Sequence, residues 1–144
     1  MNMLAINNDH KSPILAADES KFTILQNLSV ALVTLCFGIM AGFFWTYSFN
    51  VNWAFLELNG EMYATAQSLV NQNVRHSYFF FFFFGSGFFP LLALSINRTH
   101  WRTTPFWMIV VAMLIYIFGV IVFTQQVNLP LNATTEGWDP ANVP

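Results

Sequence analysis

Four polar residues spaced four apart, Tyr63, Gln67, Asn71 and Arg75, are the clearest candidates for chemistry in this chain. Four-residue steps stack side chains on one face of a helix, so a phenol, two amides and a permanent cation would form a single stripe. Such a stripe can float on lipid headgroups, or it can turn inward and line a polar cavity. Polar groups placed inside a membrane are expensive and tend to be functional. His76 follows the stripe and could act as a general base, although an interfacial residue is the plainer account. A second cluster, Val127-Asn128-Leu129-Pro130-Leu131-Asn132, lies just beyond the last apolar run. Asparagine before Leu-Pro caps or turns a chain, and the residue before proline is pushed out of helix, so a helix stop is expected there.

Other reaction types find little support. The three histidines, His10, His76 and His100, are scattered, and none has a partner at metal-ligand spacing. His100 sits between Arg98 and Arg102, where contact with headgroups is expected. The single cysteine, Cys36, lies in an apolar run, which excludes a disulfide within the chain and fits a small packing residue. The sequence has no phosphate-binding Gly-rich loop, no dinucleotide fingerprint and no nucleophile elbow.

The elements that must position these residues belong in a membrane. Hydrophobic residues make up 56% of the 144-residue chain and charged residues only 8%, against about 25% charged in soluble domains. Twelve charges cannot clothe a soluble domain of this size. The net charge of −2 and the absence of any Lys/Arg run exclude a nucleic-acid partner. Three uncharged stretches, 27–47, 78–96 and 105–124, are each about 20 residues long, enough to cross hydrocarbon. The second opens with six phenylalanines, Phe79 to Phe84, a residue favourable in lipid on every helix face. It also contains Pro90, a potential kink. Residues 1–21 read as a flexible cytoplasmic tail without a signal-peptide core, so the first span reads as an uncleaved anchor.

Residues 60–76 read as an amphipathic helix, with Met62, Ala66, Leu69, Val70 and Val74 opposite the polar stripe. Lys11, Lys21, Arg98 and Arg102 share one side and Arg75 lies on the other, which places the N-terminus in the cytoplasm, most simply at the plasma membrane. Trp45, Trp53, Trp101, Trp107 and Tyr78 fall at span ends, as interfacial aromatics should. In the first span, Thr34, Gly38, Gly42 and Thr46 form a small-residue stripe that permits close helix approach, more readily to a helix of the same chain than to another copy. The sequence does not fix the oligomeric state. The expected fold is an all-α membrane protein: three transmembrane helices (a single membrane domain, 22–132), one amphipathic helix between spans one and two, and a C-terminal tail, 133–144.

Several of these residues resemble the anthrone oxygenase family of small membrane proteins. Family members typically carry Asn-Val-Pro-Leu-Asn after the third helix, and this chain reads Asn128-Leu129-Pro130-Leu131-Asn132. They show a Gln, an Asn four residues on, then a Val-Arg pair before an aromatic-rich helix. Here these are Gln67, Asn71, Val74-Arg75 and the phenylalanine block. Asn50-Val51-Asn52-Trp53 with Leu56 resembles the stretch that follows the family's first helix. The resemblance covers residues 30–140 or so. His76-Ser77 replaces the Asn-Pro that the family commonly has, and the fourth helix that the family carries beyond a Trp-Asp-like stretch is not part of this chain, which reads as a truncated four-helix bundle or a member without that helix.

The resemblance implies a cofactor-free oxygenase acting on an activated polycyclic phenol such as an anthrone, an apolar aromatic small molecule met in membrane lipid. Gln67, Asn71 and Arg75, with Asn128 and Asn132, would then hold the enolate, Arg75 best because its charge is permanent. Tyr63 and His76 are the candidates for the base. A non-enzymatic small membrane subunit, or a lipid- or ligand-binding protein, would use the same residues. Either way the stripe should face Asn128 and Asn132, with Asn71 and Asn128 about 8 Å apart or closer.

Overall fold

The computed structural model describes residues 13–139 with 141 and 143, and side chains from Glu19 onward. All regular elements among them are helical. Helix α1 (Pro13–Thr46) runs through a π-helical stretch, Tyr47–Val51, into α2 (Asn52–Leu56). After a tight turn, α3 (Gly60–Asn73) reverses direction and α4 (Ser77–Ile96) follows. A 3₁₀ turn, Arg98–His100, leads to α5 (Thr104–Tyr116). That helix continues through π-helical stretches, Ile117–Val122 and Thr124–Asn128, into α6 (Leu129–Glu136). Three helical runs, Glu19–Leu56, Ser77–Ile96 and Thr104–Glu136, are long and apolar enough to cross a membrane. The protein is an all-α membrane bundle.

Helix α4 packs against both α1 and α5. The phenylalanine block explains why. Phe83 turns inward onto Met40 of α1 and Tyr116 of α5, while Phe80, Phe81 and Phe84 point outward. Lipid accepts the outward rings, so the block needs no polar face. The Tyr116 hydroxyl donates to the Phe83 carbonyl at 3.0 Å, which satisfies a polar group that water cannot reach. Cys36, Met40, Ser86 and Pro90 fill the tightest part of the α1–α4 contact.

Three expectations are corrected. The N-terminal segment is not wholly a tail, because α1 begins at Pro13, where a proline's missing N–H costs nothing; residues 1–12 lie outside the described residues. The helix does not stop at Asn128. Leu129, the residue before proline, keeps helical angles (φ −64°, ψ −45°), and helix runs to Glu136, into the segment read as a C-terminal tail. A proline ring crowds the carbonyl four residues back in a regular α-helix. Here the preceding turn is π, with Leu129 N–H bonded five residues back to the Thr124 carbonyl, and the wider turn makes room.

The third correction concerns the small-residue stripe. Thr34, Gly38, Gly42 and Thr46 are all exposed, and no neighbouring atom lies within 4 Å of where a side chain would start at either glycine. The close contacts of α1 run instead along Val33, Cys36 and Met40. Replacing both Gly38 and Gly42 with leucine should therefore leave bundle stability within about 1 kcal/mol of wild type, or raise it through helix propensity. A loss of several kcal/mol in reversible detergent unfolding would show that a second chain covers this face.

Candidate functional site

Helix α3 is held at its start by Asn59, whose side chain accepts the Met62 N–H at 2.9 Å. It then packs against α6 and touches α2. Its inner face is mixed, with Ala64 and Asn71 both buried. Met62 and Leu69 are 57% and 53% exposed, whereas Asn71 is 5% exposed. Tyr63, Gln67 and Asn71 turn toward the protein, Arg75 stays exposed, and Met62 is left for lipid.

The helix expected over 60–76 ends at Asn73, so Arg75 lies beyond the stripe, in the link to α4, and each of the four residues meets a different element. Tyr63 lies between Phe55 and Trp138, with ring centroids 6.0 and 6.4 Å away. The Tyr47 hydroxyl, in the π-helical end of the first run, donates to Gln67 Oε1 at 3.1 Å. Gln67 Nε2 donates in turn to Asn71 Oδ1 at 3.4 Å. The Asn71 Nδ2 donor is buried and has no hydrogen-bond partner. Arg75 forms an ion pair with Glu136 at the end of α6, with side chains 49% and 26% exposed. An open cleft of about 310 Å³ separates α3 from the end of α6, walled by Thr65, Ser68, Leu69, Glu136 and Trp138 among others.

The two halves of the expected cluster are not bonded to each other, and only Asn132 lies on an element that packs against α3. Asn132 is on α6, the helix that packs on α3, and Asn128 lies one turn earlier. Asn128 Nδ2 reaches Thr124 Oγ1 at 3.5 Å within its own helix. Among the described residues no hydrogen bond joins Asn128 or Asn132 to the stripe. His76 is exposed and caps α4, its Nδ1 accepting the Phe79 N–H at 3.2 Å. That bond occupies the lone pair a base would use, so proton transfer by His76 requires uncapping the helix.

Three residues that sequence reasoning passed over stand at the centre: Tyr47, Glu136 and Trp138. Charge spacing carried a signal for one of them. Arg75 is the lone Asp, Glu, Lys or Arg between Glu61 and Arg98, and Glu136 is the first such residue after Arg102. Two isolated opposite charges, each following a long uncharged run, are natural partners. Tyr47 carried no such mark.

No protein-family model, curated protein or solved structure matches this chain. Fold and site define a multi-pass α-helical membrane protein with an open recess between α3 and the end of α6.

Proposed function

We propose that this recess binds an apolar aromatic molecule with an acidic C–H or O–H and that the protein is a cofactor-free, anthrone-oxygenase-like enzyme. The observation that carries the reading is a cleft of about 310 Å³ walled by Glu136, whose carboxylate pairs with Arg75, together with an unpartnered buried amide donor at Asn71 on the neighbouring helix α3. Ligand pockets start at about that volume. Trp138 and Leu69 would cover the rings. Glu136 is a better base than Tyr63 or His76, since one ring is sandwiched between aromatics and the other caps a helix.

Chemically, Glu136 takes a proton from the activated CH₂ carbon, and Arg75 with Asn71 holds the enolate oxygen. The carbanion passes one electron to dioxygen and recombines with the superoxide formed, giving a hydroperoxide once the proton returns. Loss of water leaves a carbonyl, so one CH₂ and one O₂ become one C=O and one H₂O. In reconstituted protein, anthrone should be converted to anthraquinone with matching oxygen uptake, well above the rate in empty lipid discs. Glu136→Gln should lower the rate by about 10²–10⁴-fold, the usual worth of a general base. Equal rates in empty and loaded discs would remove the oxygenase reading.

A specific feature favours a second reading, that of a non-enzymatic subunit or binding protein. Arg75 and Glu136 neutralise each other, so the carboxylate is free to act only when a ligand takes over the guanidinium. Saturable binding of the same phenol without oxygen uptake above background would select it.

The proposed orientation puts the N-terminus in the cytoplasm and the recess on the outer face, supported by the Lys/Arg asymmetry. An impermeant maleimide applied to cells should label Thr134→Cys and spare Thr99→Cys; the opposite pattern reverses the orientation.

A further inference from the structure

We propose that the turn between α4 and α5 is a binding site for the phosphate of an anionic phospholipid headgroup, held by Arg98 and Arg102. The turn is built rather than loose. Asn97 Nδ2 donates to Ser29 Oγ of α1 at 3.1 Å and to the Ala93 carbonyl at 2.8 Å. Gln26, on α1 and only 8% exposed, bonds through Nε2 to His100 Nδ1 at 3.4 Å. His100 is thereby turned back onto the bundle and serves to pin the turn.

Arg98 and Arg102 are left exposed on this fixed frame, and among the described residues neither is in an ion pair. Arg102 rests over the Trp101 ring, 4.8 Å from its centroid. That contact orders a long side chain before any ligand arrives. At the start of α5, Thr103 makes no side-chain cap, so no side chain competes for the first backbone donors.

The occupant follows from position and charge. The turn joins two helices that each span hydrocarbon, which sets it at the bilayer surface. Trp101 and Trp107 are 51% and 53% exposed beside it, where interfacial aromatics sit. No Asp or Glu occurs between Glu61 and Glu136, so nothing in α4, the turn or α5 repels a phosphate. Four of the seven acids, Glu57, Glu61, Glu136 and Asp139, lie at the opposite ends of the spanning runs; Asp9, Asp18 and Glu19 share the side of the turn, where Lys11 and Lys21 offset two of them. Juxtamembrane cations attract anionic lipid strongly enough for a pair to give a preference of about tenfold.

The test is native mass spectrometry of protein released from mixed phosphatidylglycerol–phosphatidylcholine bilayers. Wild type should retain phosphatidylglycerol about tenfold over its share of the bilayer. Arg98→Gln/Arg102→Gln should lose that preference, while Glu57→Gln/Glu61→Gln keeps it. Thermal unfolding of the arginine variant in phosphatidylcholine alone should match wild type, which separates lost binding from lost folding. Absence of preference in wild type, or its persistence in the arginine variant, overturns the site. Displacement of the lipid by inorganic phosphate, but not by chloride at equal ionic strength, would overturn the lipid as its natural occupant.

Discussion

Asn71→Leu should abolish turnover, or tight binding of a phenolate ligand, while leaving the bundle folded. The two effects come from one atom. Asn71 Nδ2 is a buried donor with no partner in the ligand-free protein. Such a donor costs about 1–3 kcal/mol of desolvation. Leucine has a similar volume and removes that cost, along with the weak 3.4 Å bond from Gln67. Stability should therefore hold or rise by about 1 kcal/mol. If Asn71 Nδ2 serves the bound enolate, the same change removes a fixed donor, which typically costs about 10²–10³-fold in rate. Asn71→Asp gives a second view. It keeps an acceptor for Gln67 but faces the enolate with a carboxylate, so it should be as inactive as the leucine variant. Wild-type turnover or ligand affinity in Asn71→Leu would place the ligand elsewhere and leave the buried amide as a packing feature.

The bundle was legible in the sequence because hydrocarbon imposes a length and forbids charge, and both can be read from residue order. The spans 27–47, 78–96 and 105–124 lie within the observed runs. What the sequence hid was how the ends continue. Two spanning runs overshoot a bilayer of about 30 Å, because π-helical turns at Tyr47–Val51 and Thr124–Asn128 carry the helix past Asn50 and Pro130. Those residue types ordinarily stop a helix, and nothing local announces a π turn.

The stripe of α3 was legible as a stripe but not as an inner face. Periodicity gives an angle around a helix and says nothing of which side meets protein. The choice depends on tertiary partners, Tyr47 for Gln67 and Glu136 for Arg75. The glycine stripe failed for the same reason. Gly38 and Gly42 offer a smooth surface, but α4 instead meets the face of Val33, Cys36 and Met40, two residues round the helix from Gly38 and Gly42.

Met40→Ala tests that choice of face directly and should give the largest stability loss in the spanning region. Met40 is 2% exposed and forms the α1 contribution to a cluster with Phe83 and Tyr116, surrounded by Phe37, Phe44, Phe79, Phe82, Val120 and Ile121. In a water-soluble core, such a truncation costs about 2–5 kcal/mol, part of it lost transfer from water and part the cavity left behind. Separated helices in a bilayer stay in hydrocarbon, so the transfer part nearly vanishes and lost packing remains. The expected cost is therefore at the low end, about 2 kcal/mol. The cavity does not collapse easily, because the aromatic rings around it are locked by neighbours, Phe83 against Phe79 at 5.3 Å and Tyr116 against Phe37 at 5.6 Å. Leu35 is on the same helix but 56% exposed, so Leu35→Ala removes a side chain of similar size from the lipid-facing side. It should cost less than about 0.5 kcal/mol, the usual bound for a surface change. Reversible unfolding in mixed detergent measures both. Equal losses in the two variants would mean that α1 does not present the Met40 face to α4 and α5, and the route by which α1 holds Tyr47 against Gln67 would have to be redrawn.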